Sequence, residues 1–293
     1  MGSTAYESRN QSLGLAYQRG GHLVDFTYTY QHIPFEGFAN QRMDMTENTS
    51  EKFNLNYEGP FAWGLLKARA YGETTDHEMD FGADKRYWYG TDTGGAGALN
   101  PTDCGALDAG CAAGMPMYTT SVTRGLNLQG EMVLSEQDTL RLGAEYQAFR
   151  LDDWWPESGA MMLGEPSAVG DEAFWNIHNG RRDRQALFAE WEAKPSPRWT
   201  RLLGLRYERV SSGAGDVRGY DILAAAPGSF AMTDADAAAF NASNRKRVDH
   251  NWDWTALAKY TASDTQTYEF GLAQKTRSPN LYERYTWATW QMA

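Results

Sequence analysis

Two metal-binding side chain types stand two residues apart at His77-Glu78-Met79. In an extended chain such positions share a face, so one imidazole and one thioether can reach a single ion. A thioether selects Cu(I), and imidazole suits copper as well. A methionine that merely fills a gap is the plain alternative for such a step. Further methionines, Met43, Met45, Met115, Met117, Met161 and Met162, fall in the polar stretches between patterned segments. They are candidate soft ligands that draw Cu(I) towards His77 and Met79, with adaptable packing as the alternative for each. Trp154 and Trp155, read as exposed loop aromatics, fit either a ligand-stacking surface or a membrane-interface belt. Cys104 and Cys111 lie close together in a Gly/Ala-rich stretch. They read as a local disulfide in an oxidising compartment, or as two unpaired thiols.

Catalytic chemistry finds little footing. The acidic pairs Asp152-Asp153 and Glu190/Glu192 have no spacing that defines a glycosidase pair. The chain carries no Gly-x-Ser-x-Gly, no phosphate-binding glycine loop and no zinc-type His/Cys spacing. No enzyme is expected, and no resident cofactor is required. A net charge of −11 without a basic run disfavours nucleic acid, whose phosphates need clustered Lys and Arg.

The elements that position these residues are strands. Period-two segments recur along the 293 residues, for example Leu13/Leu15/Tyr17, Phe53/Leu55/Tyr57, Leu203/Leu205/Tyr207 and Tyr268/Phe270/Leu272. Ten strands in five hairpins result. Tight turns are placed at Arg19-Gly20-Gly21, Glu58-Gly59-Pro60, Ser135 to Asp138, Pro195-Ser196-Pro197 and Ala262-Ser263-Asp264. They alternate with long connections at Ile33 to Ser50, Phe81 to about Tyr118, Asp152 to Arg182 and Ser211 to about His250. One short helix is placed at Asp234 to Ala242. Short turns on one side and long loops on the other are the layout of a membrane barrel. The second face of most strands carries Arg, Lys, Glu, Asn and Gln, as a wet or plugged lumen requires. No window reaches the roughly 20 apolar residues of a spanning helix, which leaves a closed barrel as the way to satisfy a backbone in lipid. A soluble sheet with one buried face alternates too, and stays as the competing architecture.

The segment Tyr268 to Arg277 runs into Ser278-Pro279-Asn280-Leu281-Tyr282-Glu283-Arg284-Tyr285. Pro279, lacking a backbone N–H, ends the strand, and the chain is expected to climb into a polar loop held by Arg/Glu pairs. An alternative is that Arg277 to Tyr285 lines a ligand-capturing vestibule. In wording and order this segment resembles the barrel of TonB-dependent outer-membrane receptors. The stretches Asn40 to Thr46 and His77 to Gly82 resemble the copper-receptor branch. The resemblance implies a barrel of about 22 strands, so residues 1–293 are expected to be a partial barrel domain without plug, leader or C-terminal strands. It implies His77 and Met79 as barrel-wall copper ligands completed by a Cys and a Met of the plug, Cys104 and Cys111 being neither. It further implies an outer-membrane location, energy coupling through TonB, and copper or a ferric chelate as ligand. A passive porin-like channel and a soluble β-rich binding protein are the other functional classes.

Overall fold

The computed structural model describes residues 4–39, 41, 43–80, 117–155, 173–219 and 234–288, and the backbone of 87–88 and 112–113. Its strands are β1 (Tyr6–Arg19), β2 (His22–Glu36), β3 (Asp44–Phe61), β4 (Gly64–Asp80), β5 (Tyr87–Trp88), β6 (Ala112–Ala113), β7 (Met117–Val133), β8 (Asp138–Trp155), β9 (Phe174–Ser196), β10 (Trp199–Gly213), β11 (Arg247–Ser263) and β12 (Gln266–Gln274). Two helices, α1 (Asp234–Ala242) and α2 (Leu281–Tyr285), complete the described elements. Ten strands form one antiparallel sheet in the order β1-β2-β3-β4-β7-β8-β9-β10-β11-β12, and β5 pairs with β6 separately. β1 and β12 are its two edges.

Register explains the alternation. Leu15, Phe26, Leu55, Ala70, Leu126 and Tyr146 face one another across six strands, and Leu187, Tyr207 and Trp252 continue the same face. Opposed residues of a ladder lie on one side of the sheet. This face is apolar and open: Leu187 is 63% exposed, Leu205 52% and Phe270 63%. A continuous exposed apolar band is built for hydrocarbon rather than water. Tyr28, Phe53, Tyr146, Tyr207 and Trp252 rim its upper border, as an aromatic girdle does.

The opposite, inner face is a lattice of cross-strand ion pairs. Arg141 donates to Glu131 (2.8 Å), Glu190 (2.8 Å) and Glu192 (3.1 Å). Arg206 reaches Glu145 at 2.6 Å, and Lys52 reaches Glu73 at 2.9 Å. Each pair joins neighbouring or next-neighbouring strands, so the charges hold register as well as keep this face wet. Gly125 sits where a Cβ would strike the Tyr71 ring at 2.2 Å. The glycine thus gives the tyrosine its resting place, and Tyr71 Oη accepts from Gln147 Nε2 one strand further on (3.1 Å).

Several expected boundaries move. The first long connection, expected over 33–50, shrinks to 37–43, because β2 and β3 continue past the apolar band. The connection expected over 152–182 likewise shrinks to 156–173. Above the band the outer face turns polar and the inner face mixes polar residues with packed apolar ones, so the period-two signal fades while the ladder persists. The second turn is Ala62-Trp63 rather than Glu58-Gly59-Pro60, which lies inside β3. Pro60 is tolerated there because β2 stops pairing at Glu58, leaving no ladder bond for Pro60 to miss on that side. Helix α1 forms where it was expected.

The C-terminal segment is not the polar loop that Pro279 led one to expect. β12 ends at Gln274, and after Pro279 the chain makes α2. Asn280 caps it, accepting from Glu283 N at 2.7 Å while the Glu283 carboxylate accepts from Asn280 N at 2.8 Å. Arg277 grips the same carboxylate with both Nη atoms (2.6 and 2.9 Å). These contacts hold Glu283 down at about 2, so the clamp persists until the pH falls towards that value. The apolar side of α2, Leu281 and Tyr285, packs on Leu151 and Ile177 of the inner face. Tyr285 Oη donates to the Arg245 carbonyl at 2.7 Å, and Arg284 reaches Asp249 at 2.7 Å. The segment is thereby folded back over the inside of the sheet.

Candidate metal site on the inner rim

The upper ends of β3, β4 and β7 bring the predicted ligands together. Met45 of β3 stands opposite Met79 of β4, and Met79 stands opposite Met117 of β7. The three methionines therefore form one row on one side of the sheet, with neighbouring Cβ atoms about 5 Å apart. The next row down is Asn48, His77, Thr119 and Asp153, on β3, β4, β7 and β8. His77 and Met79 point the same way along β4, towards the inner face that carries Lys67, Arg69 and Tyr71. Met43 and Met45 are buried, at 7% and 6% exposure, so they are packed residues of the rim rather than free loop side chains.

The protonation state of His77 favours a ligand. It lies above the apolar band, where outward neighbours Asp76 and Glu78 are charged. Burial pushes its imidazole below the ordinary value, which keeps it neutral. Its Nδ1 lies 3.1 Å from Asn48 Oδ1. A carbonyl oxygen only accepts, so Nδ1 carries the hydrogen and Nε2 keeps its lone pair. One neutral nitrogen beside a row of thioethers is a soft donor set suited to Cu(I). Among the described residues no group of three His, Cys, Asp or Glu is placed to hold a metal.

Beside this row lies a polar knot that the residue pattern does not foretell. Asp153, at the upper end of β8 and above the apolar band, is 2% exposed. Its carboxylate accepts from Asn176 Nδ2 at 3.3 Å and from the Tyr282 hydroxyl, which also contacts Thr119. Burial nevertheless raises the Asp153 carboxyl to about 6, and burial also raises the Tyr282 phenol. The knot ties α2 to the rim next to His77. In the sequence Asp153 was one of two adjacent acids, and only the closure of α2 onto β8 separates its role from that of Asp152.

A pH dependence follows. A carboxyl raised from 3.8 to about 6 disfavours the docked state once ionised. The penalty grows as pH rises from near 4 through 6 and amounts to at most about 3 kcal/mol above that. Amide hydrogen exchange over 278–286, corrected for intrinsic rates, is expected to be slower at pH 5 than at pH 8. In Asp153→Asn that difference should vanish; a difference that survives in the variant removes Asp153 as its source.

Trp154 and Trp155 are not exposed loop residues. They are the last residues of β8, and Trp155 is 1% exposed. Trp155 stacks on Phe174 (4.4 Å between centroids), and Phe174 on Trp287 (5.0 Å), closing the top of the inner face. Trp154 lies on the other face between Tyr118 and Trp175. Cys104, Cys111, Met115, Met161 and Met162 lie outside the described residues.

A family model described as TonB dependent receptor-like, beta-barrel matches residues 2–291. The chain belongs to the TonB-dependent receptor β-barrel family. Members are outer-membrane barrels of Gram-negative bacteria that couple to TonB and bind metal or chelate ligands. Solved structures agree on the fold. The sheet superposes on a structure named copper transporter OprC with a TM-score of 0.67 at 14% identity, covering 94% of this chain and 39% of that one. An apoprotein structure of the FrpB iron transporter from Neisseria meningitidis, F5-1 variant, gives 0.57 at 16% identity, covering 95% and 37%. The F3-3 variant of FrpB gives 0.55 at 16% identity, covering 95% and 38%. The chain thus spans less than two fifths of the length of these receptors. No curated protein matches it. No helix of the described residues is long and apolar enough to cross a membrane, which is silent about strands.

Proposed function

We propose that this receptor barrel chain takes up a soft metal ion at the outer membrane, with copper as the first candidate and a ferric chelate as the second. The observation that carries the reading is the methionine row Met45, Met79 and Met117 set directly above a neutral His77 on the inner rim. Copper is cargo here, and the chain acts as a receptor rather than an enzyme. In this reading the edges β1 and β12 pair with further strands of a larger barrel, and a plug within it supplies the remaining ligands and the contact with TonB. The unpaired edges and the exposed apolar outer band support that completion, because open sheet edges are not tolerated in hydrocarbon.

The test is copper content of the full-length protein after loading with Cu(I) and gel filtration. His77→Ala with Met79→Ala should remove stoichiometric copper while the barrel still shows its folded gel mobility. Met45→Ala or Met117→Ala alone should weaken binding by about tenfold, the loss of one soft ligand of several. Unchanged copper in the double variant overturns the site. A wild-type protein that binds a ferric chelate and no copper moves the assignment to the second ligand.

A further inference from the structure

Directly above the apolar band the outer face turns basic across β7 to β10. The first polar outward residue above Leu126 on β7 is Arg124; above Tyr146 and Ala148 on β8 it is Arg150; above Tyr207 on β10 it is Arg209. On β9, Arg181 occupies the same side above Leu187, Gln185 and Asp183. Arg124, Arg150 and Arg181 are exposed and Arg209 is half-buried.

The register sets these cations against one another. Arg150 stands opposite Arg181, and Arg209 stands opposite His250. Like charges facing each other across a ladder destabilise it. Two carboxylates stand among them on this face: Asp183 pairs with Arg150 at 2.6 Å, and Asp152, two residues above Arg150, accepts from Asn179 N. Arg124, Arg181 and Arg209 have no anionic partner among the described residues. His250 is engaged with the Tyr207 hydroxyl (2.6 Å). On the inner face Arg141, Arg184 and Arg206 are each matched to a glutamate. In a chain of net charge −11, three unmatched arginines on one strip are a local excess that an external anion relieves.

We propose that Arg124, Arg150, Arg181 and Arg209 form a docking surface for the phosphate groups of lipid headgroups in the leaflet on the long-loop side. The placement selects the occupant. Leu126 and Tyr146 are 44% and 43% exposed, one outward position below Arg124 and two below Arg150, where acyl chains lie if the outer face meets lipid as proposed above. Headgroup phosphates then meet the guanidinium forks over a rising strip, from Arg209 and Arg124 beside the band to Arg150 and Arg181 higher on the same face. Those forks bind phosphate in a bidentate, charge-assisted manner. A free anion or an acidic protein would gain nothing from the apolar band beneath. Tyr146, Tyr207 and Trp252 suit the boundary between chains and headgroups.

The test uses the full-length protein in dodecyl maltoside, with phosphatidic acid as probe and phosphatidylcholine as neutral control. Retained lipid is counted by native mass spectrometry. Wild type should retain phosphatidic acid in preference to phosphatidylcholine. Arg124→Gln, Arg150→Gln, Arg181→Gln and Arg209→Gln combined should lower its apparent affinity on the order of a hundredfold. Arg181→Gln alone guards against misfolding: with one opposed charge gone, it should melt no lower than wild type in neutral detergent and still hold less phosphatidic acid. Equal retention by wild type and both variants overturns the proposal. So does displacement of the lipid by equimolar inorganic phosphate, which would mark a free-anion site. A wild-type protein that fails to enter phosphatidylcholine vesicles sinks the membrane reading together with this one. Insertion without phosphatidic acid preference sinks this one alone.

Discussion

Leu205→Arg should prevent the sheet from inserting into a bilayer, whereas Thr255→Lys on the adjoining strand should not. Leu205 is 52% exposed on the outer face, flanked in register by Ala189 and Trp254, near the middle of the apolar band. A charge there must enter hydrocarbon, at about 2–4 kcal/mol at the midplane of a barrel. That is a large fraction of the stability of an ordinary fold. Thr255 opposes Gly204 on the inner face, where Lys259 and Glu269 already stand among polar neighbours, so a lysine there keeps water. The full-length variants, folded into phosphatidylcholine vesicles, are compared by heat-modifiable gel mobility. Loss of the folded band in Leu205→Arg with its retention in Thr255→Lys is the expected pair of results. Equal folding of both would mean that the apolar face is not the lipid face.

Leu281→Ala should release the C-terminal segment from the inner face. Leu281 is 2% exposed and shares a small core with Leu151, Ile177 and Tyr285. Removing such a side chain from a core costs about 2–5 kcal/mol. A five-residue helix has little stability of its own, so that loss is not spread over other contacts of α2. The Arg277–Glu283 clamp and the Asn280 cap are local to the segment and do not anchor it to the sheet. The anchors that remain are the Tyr282 and Tyr285 hydroxyls, the Arg284 contacts with Ser212 and Asp249, the Ser278–Asn251 bond and the Trp287 stack on Phe174. Limited trypsin cleavage after Arg277 and Arg284 should therefore accelerate by at least about tenfold, the equivalent of 1.4 kcal/mol of the lost docking energy. The band pattern of the rest of the sheet should not change. If cleavage at these two sites is no faster than in wild type, the packing of Leu281 does not hold the segment.

These two residues also show where sequence reasoning succeeds and where it ends. Leu205 is legible as a band residue from its place in Leu203/Leu205/Tyr207, because a strand between lipid and a polar lumen must alternate, and a period of two survives in the sequence itself. The hairpin order, the short turns on one side and the family wording around Ser278 to Tyr285 are legible for the same kind of reason: they are local. His77 and Met79 share a face by the same rule, which pairs them within a single strand.

Leu281 is different. Its burial depends on Ile177, more than a hundred positions away in the chain, and no local pattern records it. The methionine row is likewise a matter of register. Met45, Met79 and Met117 are adjacent because a bulge between Met45 and Glu47 sets β3 against β4, and β4 then pairs with β7. A slip of one residue would turn Met45 to the other face. The strand extensions above the band were invisible because both faces there meet water or protein, and alternation has no cause. Asp153 became distinct from Asp152, and Trp155 from an exposed aromatic, only when α2 and Trp287 closed over the inner rim. The sequence determined the kind of surface each strand carries. The tertiary structure decided which of those residues meet, since ladder register and the return of the chain over the sheet are long-range choices made by total packing and hydrogen bonding.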